Sequence, residues 1–241
     1  MGGAGPLALV GGDELNPGNE PQDRVLAGAA SEGPAFVLAT AAARHRPDLA
    51  VANARRWFAP LGVELEELRV LKRRDANDPA IAADAASGRF FYLVGGDPGY
   101  VADVLRGSAI WAAITAAWRN GAALGGSSAG AMAMGEWTLI RGRFPGDERR
   151  AYRPALGLVP TVAVVPHFET FGHRWVASAT DEAPRAETVL LGIDERSAAV
   201  WADGVWRAMG PGGVTVIRGS DRRRFEPDDR IDGLPAPSRA G

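Results

Sequence analysis

The stretch Ala122-Ala123-Leu124-Gly125-Gly126-Ser127-Ser128-Ala129-Gly130-Ala131-Met132-Ala133-Met134 decides how the rest of the chain is read. Ala122–Leu124 is a short apolar strand, and Ala129–Met134 begins a helix of small and flexible side chains. Between them, Gly126-Ser127-Ser128-Ala129-Gly130 fits Gly-x-Ser-x-Gly with Ser128 at its centre. A nucleophile raised on a sharp strand-to-helix turn needs small neighbours, because the backbone there is strained and closely packed. Centring the pattern on Ser127 would put Ala129 where the second glycine belongs, so Ser128 is the better candidate. The turn lifts the Ser128 hydroxyl to the sheet edge and aims the Ala129 N–H at an oxyanion formed beside it. One such donor is worth roughly 2.7–4 kcal/mol in a transition state. A glycine-rich phosphate loop or a plain packing turn is the alternative reading of the same residues.

Outward from this turn, short apolar runs alternate with helical patterns, the mark of a largely parallel sheet flanked by helices. Strands are expected at Leu7–Val10, Ala35–Ala39, Val63–Val70 and Phe90–Val94, with helices at Pro21–Ala30, Asp48–Phe58, Pro79–Ala86, Tyr100–Leu105 and Ile110–Trp118. After the turn the pattern changes. Trp137–Arg141, Val162–Val165, Val189–Ile193, Ala198–Trp201, Val205–Ala208 and Val214–Ile217 read as strands with few helices between, which predicts a mixed or antiparallel edge. Residues 1–221 are expected to form a single α/β domain. The polar, proline-bearing residues 222–241 read as a mobile tail.

Composition narrows the chemistry. The 241 residues carry 27 basic and 29 acidic side chains, so charge gives no reason to expect nucleic acid as a partner. There is no cysteine, which excludes a thiol nucleophile and any thiolate metal site. His45, His167 and His173 are the whole histidine supply, too few to suggest a metal cluster. No apolar run approaches ~18 residues, so no membrane span is expected; Met1–Val10 lacks a basic region followed by a long apolar run, so no secretory signal is expected, and a cytoplasmic protein is the default. The seven tryptophans could line a pocket, although most suit packing.

A serine hydroxyl needs a base near neutral pH, a contribution of about 10²–10⁴-fold. His45 lies in the polar run Arg44-His45-Arg46, and His173 at the start of a short helix. His167 follows the apolar run Val162–Val165 and Pro166, which puts it at a strand end, where α/β sites form. No histidine follows His173, so the order is Ser, His, then acid. An ordinary α/β-hydrolase has the acid before a C-terminal histidine, so that fold is disfavoured.

Four ordered segments resemble the cyanophycinase and dipeptidase E family of serine peptidases. They are Leu9-Val10-Gly11-Gly12, Phe91-Tyr92-Leu93-Val94-Gly95-Gly96-Asp97, Gly125–Ala131 and Pro166-His167-Phe168, joined by Leu191-Gly192-Ile193-Asp194-Glu195, which looks like the cyanophycinase branch. The resemblance implies a class I glutamine amidotransferase-like, flavodoxin-like three-layer fold with serine in place of cysteine. It makes Ser128 the nucleophile and His167 its base, gives Gly96, Ala129 and Asp97 as oxyanion N–H donors, and assigns Glu195 to orient the imidazole. Glu169, two residues after His167, competes for that last role, since residues two apart in an extended segment share a side.

The implied reaction is hydrolysis of a peptide or isopeptide bond through an acyl-enzyme, with a small peptide as substrate and no metal or organic cofactor. The resemblance also admits a homodimer. A small-molecule amidase or esterase, or an inactive binding module, would use the same scaffold. Cyanophycinases carry a glutamine before the histidine and an arginine-rich run after it, whereas Pro166 precedes His167 here and only Arg174 follows closely. Arg141, Arg143 and Arg174 are candidates for binding a substrate carboxylate, the alternative being plain surface arginines of an arginine-rich chain.

Overall fold

A computed structural model describes residues 3–30, 33–141 and 149–238. In the first half, strands β1 (Leu7–Val10), β2 (Ala35–Leu38), β3 (Leu65–Glu67), β4 (Phe90–Leu93) and β5 (Ala123–Ser127) alternate with helices. These are α1 (Glu20–Ala29), α2 (Pro47–Phe58), α3 (Pro79–Ser87), α4 (Pro98–Leu105), α5 (Ala109–Arg119) and α6 (Ala129–Met134). The second half holds β6 (Gly135–Arg141), β7 (Arg150–Pro154), β8 (Val159–Val165), α7 (Val176–Asp181), β9 (Val189–Ile193), β10 (Ala198–Ala202), β11 (Val205–Met209), β12 (Val214–Arg218) and β13 (Asp221–Phe225).

The first sheet runs β11-β10-β1-β5-β4-β2-β3, parallel through β1–β5 and antiparallel where β10 joins β1 and β11 joins β10. β1, β2, β4 and β5 are buried on both faces, and successive residues divide between two cores as a two-residue period requires. Ala8, Val10, Val37, Phe90 and Tyr92 pack with Leu26 of α1 and with Val51 and Phe58 of α2. Leu7, Leu9, Leu38, Phe91 and Leu93 face the opposite way, toward Leu105 of α4 and Ile114 and Trp118 of α5. Helix starts follow local chemistry: Asp78, Asp97 and Ser108 each accept a first-turn N–H of α3, α4 and α5.

The remaining strands form a second sheet, β13-β12-β9-β8-β6-β7, in which β6, β8 and β9 are parallel and the flanking strands antiparallel. The expected antiparallel edge is thus present as β10–β11, while the other late strands build a sheet of their own. Local pattern marks a strand but does not say which neighbour it will pair with. Val63–Val70, read as one strand, shortens to three residues, because only Leu65–Glu67 finds β2 as a partner.

Of the segment 222–241, read as a polar tail, residues 239–241 lie outside the described residues and the rest packs on the domain. It begins as β13, buries Phe225 and Ile231, and is tied further by Trp206 Nε1–H to the Pro235 carbonyl (2.9 Å) and by Ser238 N–H to the Leu158 carbonyl (2.7 Å). Arg222, Arg223 and Arg224 are exposed side chains on an edge strand, so an ordered strand reads as a polar run.

Candidate active site

The C-terminal ends of β1, β4 and β5 converge with those of β8 and β9, so the two sheets meet at one cleft of about 920 Å³. Ser128 sits at its floor, at the top of β5, with φ 48° and ψ −112°. That region is reserved almost entirely for glycine, and holding a serine there costs on the order of 1–3 kcal/mol. His167 ends the segment after β8, also at positive φ (50°), and Glu195 lies in the turn between β9 and β10.

Three successive carbonyls at the end of β1 tie these segments together. Val10 accepts the Ser128 N–H (3.0 Å), Gly11 accepts the His167 N–H (2.7 Å), and Gly12 accepts the Arg196 N–H beside Glu195 (2.8 Å). The His167 ring lies over Gly12 itself. A Cβ added at Gly12 would come within 2.2 Å of the imidazole, and its φ of 114° also favours glycine.

The side chains line up accordingly. Glu195 Oε1 stands 2.7 Å from His167 Nδ1, and His167 Nε2 stands 3.3 Å from Ser128 Oγ. An Nδ1–H donated to the carboxylate leaves the Nε2 lone pair facing the hydroxyl. Phe171 stacks on the opposite ring face, centroids 4.9 Å apart, fixing the imidazole plane. Glu169, the rival third member, turns away from the imidazole: its two oxygens accept the Glu195 N–H at 3.0 Å each. Burial pushes the Glu169 carboxyl up, with the Asp194 charge adding to it and the Glu195 N–H opposing. Asp194 is buried, accepts the Gly213 N–H (2.9 Å), and pairs with Arg224 of β13 at 2.7 Å. The Glu195 turn is therefore pinned from behind.

Of the expected oxyanion donors, Ala129 N–H stands at the start of α6 and Gly96 N–H in the turn after β4. Among the described residues neither donates to another protein group, and both line the cleft. Asp97 corrects its expectation: its N–H is donated to the Ala41 carbonyl (2.8 Å), while its carboxylate caps α4. A Cβ at Gly96 would meet that same carbonyl at 2.2 Å, so the turn is closed against Ala41 and only glycine fits.

The cleft walls carry Arg44, Arg141, Arg150 and Arg153 against Asp97 and Asp103. Arg44 lies over the Tyr100 ring (4.3 Å) with Asp97 at 4.0 Å, Arg150 lies over Trp175 (4.1 Å), and Arg153 pairs with Asp103 at 3.1 Å. His45, read as a solvated surface residue, is exposed but borders the cleft. Arg141 lines the cleft, Arg174 does not, and Arg143 lies outside the described residues. Sequence reasoning passed over Glu14, which reaches the turns after β4 and β5, because a lone glutamate after Gly11-Gly12-Asp13 carries no periodic or motif signal.

The sequence profile described as peptidase family S51 matches residues 11–207, which include Gly96, Ser128, Ala129, His167 and Glu195. The chain belongs to peptidase family S51. This S51 chain is 28% identical over 166 residues to proteins named cyanophycinase from Synechococcus elongatus and from Thermosynechococcus vestitus, a match covering 66% of the chain and 51% of each relative. The S51 chain thus spans about half the length of the curated relatives it matches. A crystal structure of a peptidase from an acI-B1 Actinobacterium superposes with TM-score 0.81 at 30% identity, covering 95% of this chain and 96% of that one. A putative peptidase E from Listeria monocytogenes EGD-e shares the fold, with TM-score 0.57 at 15% identity over 92% of this chain and 98% of the other. These matches place the S51 chain among proteins named cyanophycinase and peptidase by sequence and structural similarity. Among its described residues no helix is long and apolar enough to cross a membrane.

Proposed function

We propose that this S51 peptidase cleaves a short peptide or isopeptide through an acyl-enzyme on Ser128. The observation that carries the reading is the unbroken series Ser128 Oγ, His167 Nε2, His167 Nδ1, Glu195 Oε1, with steps of 3.3 Å and 2.7 Å. Ser128 Oγ attacks the scissile carbonyl carbon while His167 Nε2 takes its proton. The carbonyl oxygen becomes an oxyanion facing the Gly96 and Ala129 N–H groups. Collapse breaks the C–N bond, and the imidazolium returns the proton to the departing amine. Water then enters, gives its proton to His167, attacks the acyl carbon, and releases the acid with the Ser128 hydroxyl restored. Glu195 holds the tautomer and steadies the imidazolium in both halves. No metal or organic cofactor is needed for these steps.

The arginine-bearing walls suit a substrate that places a carboxylate beside the scissile bond. Cyanophycin itself is a weaker candidate, because Pro166 replaces the glutamine and the arginine run after the histidine is missing. The same machinery would serve a small-molecule amidase or esterase, and the substrate panel below separates them.

The test is labelling with a fluorophosphonate probe and location of the adduct by mass spectrometry, then a panel of di- and tripeptides against simple esters and amides. An adduct on Ser128 that disappears in His167→Ala, with peptides turned over fastest, is the expected result. A folded chain that takes no adduct and cleaves no member of the panel would mean a scaffold that binds without turnover.

A further inference from the structure

We propose that Glu14 is a positioning residue that holds the oxyanion turn against the nucleophile turn; the inference rests on Ser128 being the nucleophile. Glu14 lies in the loop between β1 and α1, and its carboxylate bridges two other loops. Oε1 accepts the Gly95 N–H at 2.9 Å, and Oε2 accepts the Ser127 hydroxyl at 3.0 Å. Gly95 immediately precedes the oxyanion donor Gly96, and Ser127 immediately precedes Ser128. A Cβ built on Gly95 would touch Glu14 Oε1 at 3.0 Å and the Ser128 Cβ at 3.4 Å, so the three groups meet at one point.

The geometry explains why one amide of this turn is free and its neighbours are not. Gly95 N–H is committed to Glu14 and Asp97 N–H to the Ala41 carbonyl, which leaves the Gly96 N–H clamped on both sides and facing the cleft. An oxyanion donor works only if it is held in place before charge develops, since reorganisation at that moment would cancel its benefit. Asp97 becomes one jaw of this clamp, and Glu14 is the other.

Glu14 is itself braced. It lies between two residues at positive φ, Asp13 (51°) and Leu15 (62°). Asn16 Nδ2–H is donated to Asp13 Oδ1 at 2.8 Å, and Asn19 Nδ2–H to the Asp13 carbonyl at 2.9 Å. Asp13 also pairs with Arg196 at 3.2 Å, beside Glu195. The loop therefore connects the acid's turn to the oxyanion turn through the end of β1. On its outer side Glu14 borders a hollow of about 420 Å³, so shortening its side chain opens no closed core void.

Two variants separate reach from charge. Glu14→Asp keeps the charge but is one methylene too short to bridge both donors. Glu14→Gln keeps the reach, retains an acceptor for the Gly95 N–H, and can donate its amide hydrogen to the Ser127 oxygen. Both are read by the rate of Ser128 phosphonylation by a fluorophosphonate, resolved into a limiting rate and a half-saturating probe concentration, on chains whose melting temperatures match the wild type. Glu14→Asp is expected to lower the limiting rate about 10²-fold, the magnitude of one oxyanion donor, with half-saturation shifted less than about threefold. Glu14→Gln is expected to stay within about threefold of wild type. A wild-type rate in Glu14→Asp, or equal loss in both variants, overturns the inference while leaving Ser128 as the nucleophile. A wild-type chain that is never labelled at Ser128 overturns both.

Discussion

Ser128, His167 and Glu195 stand in series, so each should fail in its own way when removed. Ser128→Ala is expected to abolish both labelling and turnover with the melting temperature unchanged or higher. His167→Ala should lower turnover by roughly 10²–10⁴-fold, the contribution of a positioned base. The carboxylates divide more finely. Glu195 accepts from the imidazole, whereas Glu169 accepts from the Glu195 backbone N–H and the Thr170 hydroxyl and makes no bond to the ring. Replacing Glu195 by Ala should therefore cost at least tenfold more in kcat than replacing Glu169 by Ala, and steady-state rates of the two variants on one peptide decide it. Equal losses would return Glu169 to consideration as a direct partner of His167.

At the scale of elements, the end of β1 does more than its four residues suggest. Its last carbonyl and the two glycine carbonyls that follow hold Ser128, His167 and the turn that carries Glu195. Gly12→Ala is expected to displace the imidazole, since the new methyl group would occupy its position, and to lower kcat at least as far as His167→Ala while the far-UV spectrum is kept. β13 has a comparable remote effect. Arg224 neutralises buried Asp194, so Arg224→Met should lower both the melting temperature and kcat, with calorimetry and peptide hydrolysis as the two readouts. Most parallel strands, helices α1 to α6 and the Ser128 turn were legible in the sequence, because each is a local pattern of period or of small residues. Ser128, His167 and Glu195 were named from motifs lying 39 and 28 residues apart, and the structure brings them within contact. The split into two sheets, β7, β13 and Glu14 were not legible. Strand pairing is decided by tertiary contact, an arginine-rich edge strand looks like a tail, and a bridging carboxylate leaves no signature in its own neighbourhood.

The whole molecule carries a titratable group in its core. Asp23 of α1 is buried and accepts the Trp57 Nε1–H at 2.7 Å. Burial pushes its carboxyl up from 3.8 to about 7, with the charges of Glu20 and Glu14 adding to the rise and the Trp57 bond opposing it. The folded chain thus keeps a proton that the unfolded chain releases, so this group's contribution to stability is full below about pH 4 and is lost as pH rises through about 7. Asp23→Asn does not titrate and retains an acceptor for Trp57. Its melting temperature should gain on the wild type between pH 5 and pH 8, and a gap that stays constant over that range would exclude the account. A different reserve lies in the backbone of Ser128, whose dihedrals suit a residue without a side chain. Ser128→Gly should outlast Ser128→Ala on heating, by on the order of 1 kcal/mol after glycine's greater freedom in the unfolded chain is counted. The chain with Ser128 in place would then be a less durable molecule than its glycine variant, and selection for the proposed catalysis alone would keep it so.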